Sequence, residues 1–208
     1  AHFDKSLIDQ VDFSDVKIAH LSGIFPAISL QAREAFRYFA EQLIDHGIRT
    51  TFDPNLRPAL WESREVMIET INDLAKYGEI VLPGIDEGEI LIGSRDPETI
   101  ADFYLNNSDR TQTVVVKIGA DGAYVKNKSG ESYIVNGFKV EKVVDTVGAG
   151  DGFALGLITG LIEGLTMADA VRRGNAVGAL QVQTPGDNDG YPTQEELEAF
   201  LADNKKEA

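Results

Sequence analysis

The stretch Thr113-Val114-Val115-Val116-Lys117-Ile118 decides the fold class of this chain. Its nearly continuous apolar run is typical of a strand buried on both faces, as the central strands of parallel sheets are. In the residues before it, segments with the apolar pattern of strands alternate with segments that have the apolar pattern of helices. The strand patterns lie at 16–23, 48–52 and 79–82, and the helical patterns at 29–46, 62–77, 87–92 and 96–105. This alternation predicts a parallel sheet wrapped by helices, in which ligands bind beyond the carboxyl ends of the strands.

The apolar period changes to two after Gly122, where two short runs flank Lys128-Ser129-Gly130-Glu131. This pattern predicts an antiparallel hairpin at one edge of the sheet. Helical patterns follow at about 149–163, 167–183 and 193–208. We therefore predict an α/β fold, a doubly wound and mostly parallel sheet flanked by helices, as one domain over residues 1–208.

Composition excludes several classes of function. With 34 acidic against 19 basic residues and a formal net charge of -15, nucleic acid and anionic membranes are poor candidate partners. The chain has no cysteine, which excludes disulfide scaffolds, Cys-zinc sites and thiol catalysis. It shows neither a membrane-spanning apolar run nor a signal-peptide pattern at its start, so we expect a soluble cytoplasmic protein with a small-molecule partner. The sequence leaves open whether the chain forms a homo-oligomer.

A glycine-rich segment, Gly148-Ala149-Gly150-Asp151-Gly152, stands where a helix is predicted to begin. Free backbone N–H groups at a helix N-terminus, together with the helix dipole, form an anion site, and glycine lets a phosphate approach the backbone closely. A carboxylate at such a site would repel a phosphate but suits a base that takes a proton from an attacking hydroxyl. The segment therefore indicates phosphoryl transfer, with Asp151 as the catalytic base.

Other phosphate-binding devices are absent from the sequence. It contains no Gly-Lys-Ser/Thr P-loop, and Gly119-Ala120-Asp121-Gly122 lacks the glycine pattern of a dinucleotide site. Glycine also recurs at every fourth position from Gly152 to Gly164, which implies the close approach of another backbone. We interpret this stripe as helix–sheet packing.

The string Asp145-Thr146-Val147-Gly148-Ala149-Gly150-Asp151-Gly152-Phe153 resembles the C-terminal signature of the ribokinase-like (PfkB-type) carbohydrate kinases. Residues 83–89 after a strand, residues 117–122 and the helix around Asn175 follow in the order of that family, so the resemblance covers nearly the whole chain. It implies a ribokinase-like core that uses ATP and Mg²⁺. It also implies site residues: for catalysis Asp151 with Gly148, Ala149 and Gly150, and for the nucleotide Asn55, Lys117, Gly119, Gly122, Gly148, Gly150 and Asn175.

The substrate class also rests on resemblance. The segment 53–61 is similar to one shared by fructokinases and 2-keto-3-deoxygluconate kinases, and the loop 184–190 favours the latter. This implies phosphorylation of 2-keto-3-deoxygluconate to its 6-phosphate, with Arg57, Asp151 and Asp187 contacting the substrate. A fructokinase or other sugar kinase of the family is the alternative. A nicotinamide-dependent oxidoreductase is a further alternative, which only the α/β pattern supports.

The chain departs from the family pattern in two respects. Gly84 replaces the asparagine of the family's Asn-x-x-Glu element, so only Glu87 carries over, as a water-mediated Mg²⁺ contact. Asp145 would either hold a loop or, as in relatives with a monovalent-cation site, help bind K⁺. The family normally has a further N-terminal third with a β-sheet lid, so we expect residues 1–208 to be the C-terminal two-thirds of a longer kinase. A truncated or catalytically silent nucleotide-binding module is therefore a further alternative.

Overall fold

The computed structural model describes residues 5–204, in which six strands form one sheet in sequence order. The strands are β1 (Ile18–Ser22), β2 (Arg49–Asp53), β3 (Ile80–Val81), β4 (Thr113–Lys117), β5 (Gly122–Asn127) and β6 (Ser132–Asn136). The α-helices are α1 (Lys5–Ile8), α2 (Ile24–Ala27), α3 (Leu30–Asp45), α4 (Arg64–Leu74), α5 (Ile85–Ile92), α6 (Pro97–Asn107), α7 (Ala149–Ile162), α8 (Met167–Gln181) and α9 (Gln194–Asp203). The predicted α/β class is confirmed.

Strands β1 to β4 are parallel, as their sequence pattern predicts. Ile18 pairs with Arg49, Thr51 with Ile80 and Ile80 with Thr113. The neighbouring strands β5 and β6 are joined by a tight turn in which the Asn127 N–H donates to the Glu131 carbonyl at 3.0 Å. The sheet is therefore mixed, with the hairpin after the parallel strands.

The chain divides into two compact units, one of residues 1–116 with 125–132 and one of residues 117–124 with 133–208. The first has its core around β2 and β4, where Phe52, Val114, Val115 and Val116 are fully buried. Its long helices begin at residues with polar side chains that accept a hydrogen bond from the first turn, as good N-caps do: Ser29 for α3, Ser63 for α4 and Asp96 for α6.

The second unit contains the antiparallel pair α7 and α8. A methyl group on Gly156 would lie 2.8 Å from the carbonyl oxygen of Arg173, and one on Gly160 would lie 3.0 Å from the Cα of Ala170. The glycine stripe of α7 thus packs against helix α8, and the interpretation as helix–sheet packing is wrong. The period of the stripe indicated a close backbone neighbour but carried no information about the type of that neighbour.

Three details differ from the predicted elements. The short helices α1 and α2 have no periodic pattern long enough to predict them, and β3 covers only Ile80–Val81. The C-terminal helix α9 ends at Asp203, and the part of the predicted tail helix after Asn204 lies outside the described residues. Within residues 5–204, no helix has both the length and the apolar character needed to span a membrane.

Candidate active site

The N-terminus of α7 forms the centre of the candidate site in the second unit. Gly148 has a left-handed backbone, with φ +78°, and its carbonyl accepts the Gly152 N–H at 2.8 Å. The first turn of an α-helix carries backbone N–H groups that the helix itself does not pair, and these lie at the positive end of its dipole. The glycine segment therefore lies at the start of a helix, and an anion site there stays a prediction.

Gly148 also lies against the loop that carries Asp187. A β-carbon on Gly148 would fall well inside van der Waals contact with the Asp187 carbonyl oxygen. Two segments predicted to bind different groups, the phosphate and the sugar acid, therefore touch at their backbones.

Asp151 lies in the first turn of α7 with its side chain exposed. Beside it, the Tyr191 hydroxyl donates to the Gly148 carbonyl at 3.2 Å. Burial raises the pKa of Tyr191, and the negative charges of Asp151 and Asp187 raise it further. The Tyr191 phenol therefore stays protonated at neutral pH and acts as a donor near both carboxylates.

Asp145 holds the loop that leads into α7. Its Oδ1 accepts the Val147 N–H at 3.0 Å, and its Oδ2 lies 3.5 Å from the Gly186 nitrogen. The hydrogen bond from the Val147 N–H is the main cause of a lowered pKa at Asp145, so this carboxyl is ionised at neutral pH. An ionised carboxylate in a loop suits either of the two predicted roles.

Lys117 ends strand β4, and its ammonium lies beside the glycine segment. A methyl group on Gly150 would be 3.7 Å from Lys117 Nζ. The turn after Lys117 contains two glycines with positive φ, +67° at Gly119 and +105° at Gly122. This turn and the anion site belong to the same unit.

Asn175 lies on α8 and is buried. Its Nδ2 donates to the carbonyls of Val135 at 3.0 Å and Asn136 at 3.1 Å, at the end of β6. The amide hydrogens of Asn175 therefore fix the end of a strand.

Three predicted site residues, Asn55, Arg57 and Glu87, lie in the first unit. Asn55 has a positive φ of 40°, and its N–H donates to the buried Asp53 carboxylate at 3.1 Å. Arg57 is exposed after the carboxyl end of β2, where its guanidinium donates to the Leu56 carbonyl at 2.9 Å.

Glu87 uses both of its carboxylate oxygens on backbone N–H groups. Oε1 accepts the Leu56 N–H at 3.0 Å and Oε2 accepts the Gly84 N–H at 2.8 Å. The side chain thereby joins the segment after β2 to the start of α5. A glycine at position 84 is compatible with this arrangement because the carboxylate contacts only its backbone.

Sequence reasoning missed two residues of the second unit, Gln181 and Tyr191. Both donate to backbone carbonyls around the glycine segment, Gln181 to Val147 and Tyr191 to Gly148. A single glutamine at the end of an ordinary helical pattern carries no signal for this role. A tyrosine that follows a loop of Gly, Asp and Asn residues offers only a weak one.

The arrangement suits a phosphate group held next to a base. The backbone N–H groups at a helix N-terminus, glycines without side chains and the Lys117 ammonium favour an anion, and the Asp151 carboxylate can accept a proton. Across residues 5–204, no cluster of three or more His, Asp or Glu side chains could hold a metal ion by itself.

Comparison with known proteins finds one family over most of the chain. The family model described as pfkB family carbohydrate kinase matches residues 1–194. A 2-dehydro-3-deoxygluconokinase from Bacillus subtilis (strain 168) is 48% identical over 183 residues, which cover 88% of this chain and 56% of that protein.

Two solved structures show the same fold. A PfkB protein from Polaromonas sp. JS666 is 41% identical with a TM-score of 0.81, and the match covers 95% of this chain and 62% of that one. A fructokinase double mutant from Vibrio cholerae O395, solved with fructose, ADP and potassium ion, is 29% identical with a TM-score of 0.85 over 94% of this chain and 63% of that one. The chain thus spans less than two thirds of the length of each of these proteins.

Proposed function

Because the chain belongs to the pfkB family of carbohydrate kinases, we propose that it carries the catalytic centre of an ATP-dependent kinase acting on 2-keto-3-deoxygluconate. The product would be the 6-phosphate. The observation that carries this proposal is the Asp151 carboxylate in the first turn of α7, next to the glycine-bordered amides of the anion site. The relative from Bacillus subtilis, 48% identical, is a kinase of the same sugar acid, for which 2-dehydro-3-deoxygluconate is another name.

In the proposed reaction, Asp151 takes the proton from the attacking sugar hydroxyl. The hydroxyl oxygen forms a bond to the γ-phosphorus, the bond from that phosphorus to the β–γ bridging oxygen breaks, and ADP leaves with the electron pair. The amides of Gly148 and Gly150 and the Lys117 ammonium stabilise the charge on the transferred group, whereas the Ala149 N–H donates to the Thr146 carbonyl at 3.3 Å. Mg²⁺, when bound, offsets negative charge on the phosphates.

Four further roles are proposed. Arg57 and Asp187 orient the sugar acid. Five residues surround the nucleotide: Asn55, Lys117, Gly119, Gly122 and Asn175. Glu87 would contact Mg²⁺ through water, and Asp145 would take part in a K⁺ site, a role supported by the potassium-bound fructokinase. We infer a cytoplasmic setting, where ATP is available and a chain without cysteine needs no oxidising compartment.

Fructose is the second candidate substrate. The fructokinase from Vibrio cholerae superimposes with a TM-score of 0.85, which favours this alternative, but its identity of 29% is well below the 48% of the sugar-acid kinase. A nucleotide-binding module without turnover is the third candidate.

The deciding experiment measures ADP formation by the intact gene product with 2-keto-3-deoxygluconate, fructose and ribose. We expect the highest kcat/KM with the sugar acid. ADP formation with fructose alone would favour the second candidate, and nucleotide binding without ADP formation from any sugar would favour the third.

Substitution of Asp151 tests its assignment as the base. Asp151→Asn should lower kcat by about 10²–10⁴-fold, because general base catalysis contributes that much, while ATP binding is retained. The matched control is Asp109→Asn, which removes a fully exposed carboxylate whose ion pair with Lys128 is 3.8 Å long. Normal turnover by Asp151→Asn would falsify the assignment.

A further inference from the structure

Gln181, the last residue of α8, is fully buried and hydrogen-bonded to the main chain at three points. Its Nε2 lies 2.7 Å from the Gly186 carbonyl oxygen and 3.3 Å from that of Val147, and its Oε1 accepts the Gly190 N–H at 3.0 Å. None of these acceptors and donors belongs to the repeating hydrogen bonds of α8.

The three hydrogen bonds form in only one orientation of the Gln181 side-chain amide. Two carbonyls face the nitrogen, which has two hydrogens to donate, and one N–H faces the oxygen, which accepts. Burying an amide costs free energy unless it is hydrogen-bonded, so an apolar side chain would fill this space at lower cost if filling were all that mattered. The polar contacts are therefore the distinctive property of Gln181.

These contacts join the two loops of the proposed active site. Val147 directly precedes Gly148 of the anion site, whereas Gly186 and Gly190 bracket the loop that contains Asp187. The fit is close on both sides of that loop. A methyl group on Gly190 would lie 2.9 Å from the Gln181 Cα, and Gly148 faces the Asp187 carbonyl with no room for a side chain.

We propose that Gln181 is a positioning residue that sets the Asp187 loop in register with the phosphate-binding amides. In this role Gln181 does not touch the sugar acid or ATP. It acts through the backbones of Val147, Gly186 and Gly190. The proposal rests on the proposed function, because it assigns the sugar acid to one of the joined loops and the transferred phosphate to the other.

The test replaces Gln181 by methionine, which has a similar length but cannot donate to the two carbonyls. We expect Gln181→Met to lower kcat/KM for 2-keto-3-deoxygluconate about tenfold or more, since displacement of reacting groups by about 1 Å can cost about 10²-fold. The matched control is Gln183→Met, because Gln183 is exposed just beyond the end of α8 and its Nε2 donates to the Ala179 carbonyl at 3.0 Å. This control should keep the unmutated kcat and KM.

If Gln181 only stabilised the fold, Gln181→Met would give a different result. It would lower the melting temperature and the number of active sites, counted by titration with nucleotide, but would leave kcat per site and KM for the sugar acid unchanged. Unchanged constants per active site in Gln181→Met would overturn the proposal.

A second variant covers the case in which Gln181→Met does not fold. Gln181→Glu keeps the acceptor for Gly190 but, when ionised, places a negative charge against the carbonyls of Val147 and Gly186. The protonated carboxyl can donate to one of them, so kcat/KM relative to the unmutated protein should rise as the pH falls. A ratio that does not change with pH contradicts the proposal.

Failure of the proposed function is recognised separately. If the unmutated protein phosphorylates none of the three sugars, the readout becomes the ratio of the dissociation constants for ADP and for a non-hydrolysable ATP analogue. Displaced amides at Gly148 would weaken binding of the analogue more than that of ADP, so Gln181→Met should change this ratio and Gln183→Met should not. An unchanged ratio counts against the positioning role.

Discussion

Gly148 meets two independent requirements that exclude a side chain at this position. Its φ of +78° lies in the left-handed region that L-residues avoid, and a β-carbon would collide with the Asp187 carbonyl. The first requirement lets the chain turn into α7, and the second brings two loops of the site together.

The substitution Gly148→Ala separates these requirements when it is compared with Gly130→Ala. Both positions have positive φ, but a methyl group on Gly130 meets nothing within 4 Å. Gly130→Ala should lower the free energy of unfolding by about 1–2 kcal/mol, because alanine is strained in the left-handed backbone conformation. Gly148→Ala should lower it by about 1–3 kcal/mol more, because its methyl group also collides with the Asp187 carbonyl. Urea denaturation measures both losses, and equal losses would show that the Asp187 loop moves away at no cost.

Among the elements, helix α7 does most to position the proposed catalytic base. Its first turn carries Asp151 and the amides proposed to bind the phosphate, and its glycine face lies against α8. The direction in which the amides point therefore depends on how closely these two helices pack.

Gly156→Ala tests this packing. In an exposed helix the change from glycine to alanine stabilises by about 1 kcal/mol, but here the methyl group would lie 2.8 Å from the Arg173 carbonyl oxygen. Overpacking costs about 1–3 kcal/mol, so we expect a net loss of stability. Gly178→Ala on α8 is the graded comparison, because its nearest contact is 3.2 Å, to the Ala149 carbonyl oxygen. Thermal unfolding should show the larger loss for Gly156→Ala, and the reverse order would be inconsistent with this packing.

At the scale of the whole molecule, the dominant property is the net charge of -15. Excess charge of one sign destabilises the compact state through self-repulsion and opposes the approach of an anionic nucleotide. In the proposed kinase, the attraction for the nucleotide therefore comes from local groups such as the helix amides and Lys117.

Screening of this repulsion gives a prediction for salt. Raising the ionic strength from about 0.01 M to about 0.1 M shortens the Debye length from about 30 Å to about 10 Å. If this restores about 1 kcal/mol, the melting temperature at pH 7 should rise by about 2–4 °C. Neutralising the exposed carboxylates Glu69 and Glu195 as glutamines should reduce the increase. A melting temperature that falls with added NaCl would contradict dominant self-repulsion.

The sequence by itself determined the parallel direction of β1 to β4, the hairpin, the starts of the long helices and the glycine segment before α7. These features depend on residues that are close along the chain. Apolar periodicity, capping side chains such as Ser29 and Asp96, and glycines at the start of a helix act within a few positions. Each signal is therefore contained in a short stretch of the sequence.

Only the tertiary structure decided what these elements meet. It placed α8 against the glycine stripe, gave both oxygens of Glu87 to backbone N–H groups, and brought Gly148 to the Asp187 carbonyl. It also gave Gln181, an unremarked helix residue in the sequence, bonds to two loops. The physical reason is that such contacts join residues far apart in the chain, and their geometry depends on the packing of whole elements and not on any local pattern of residues.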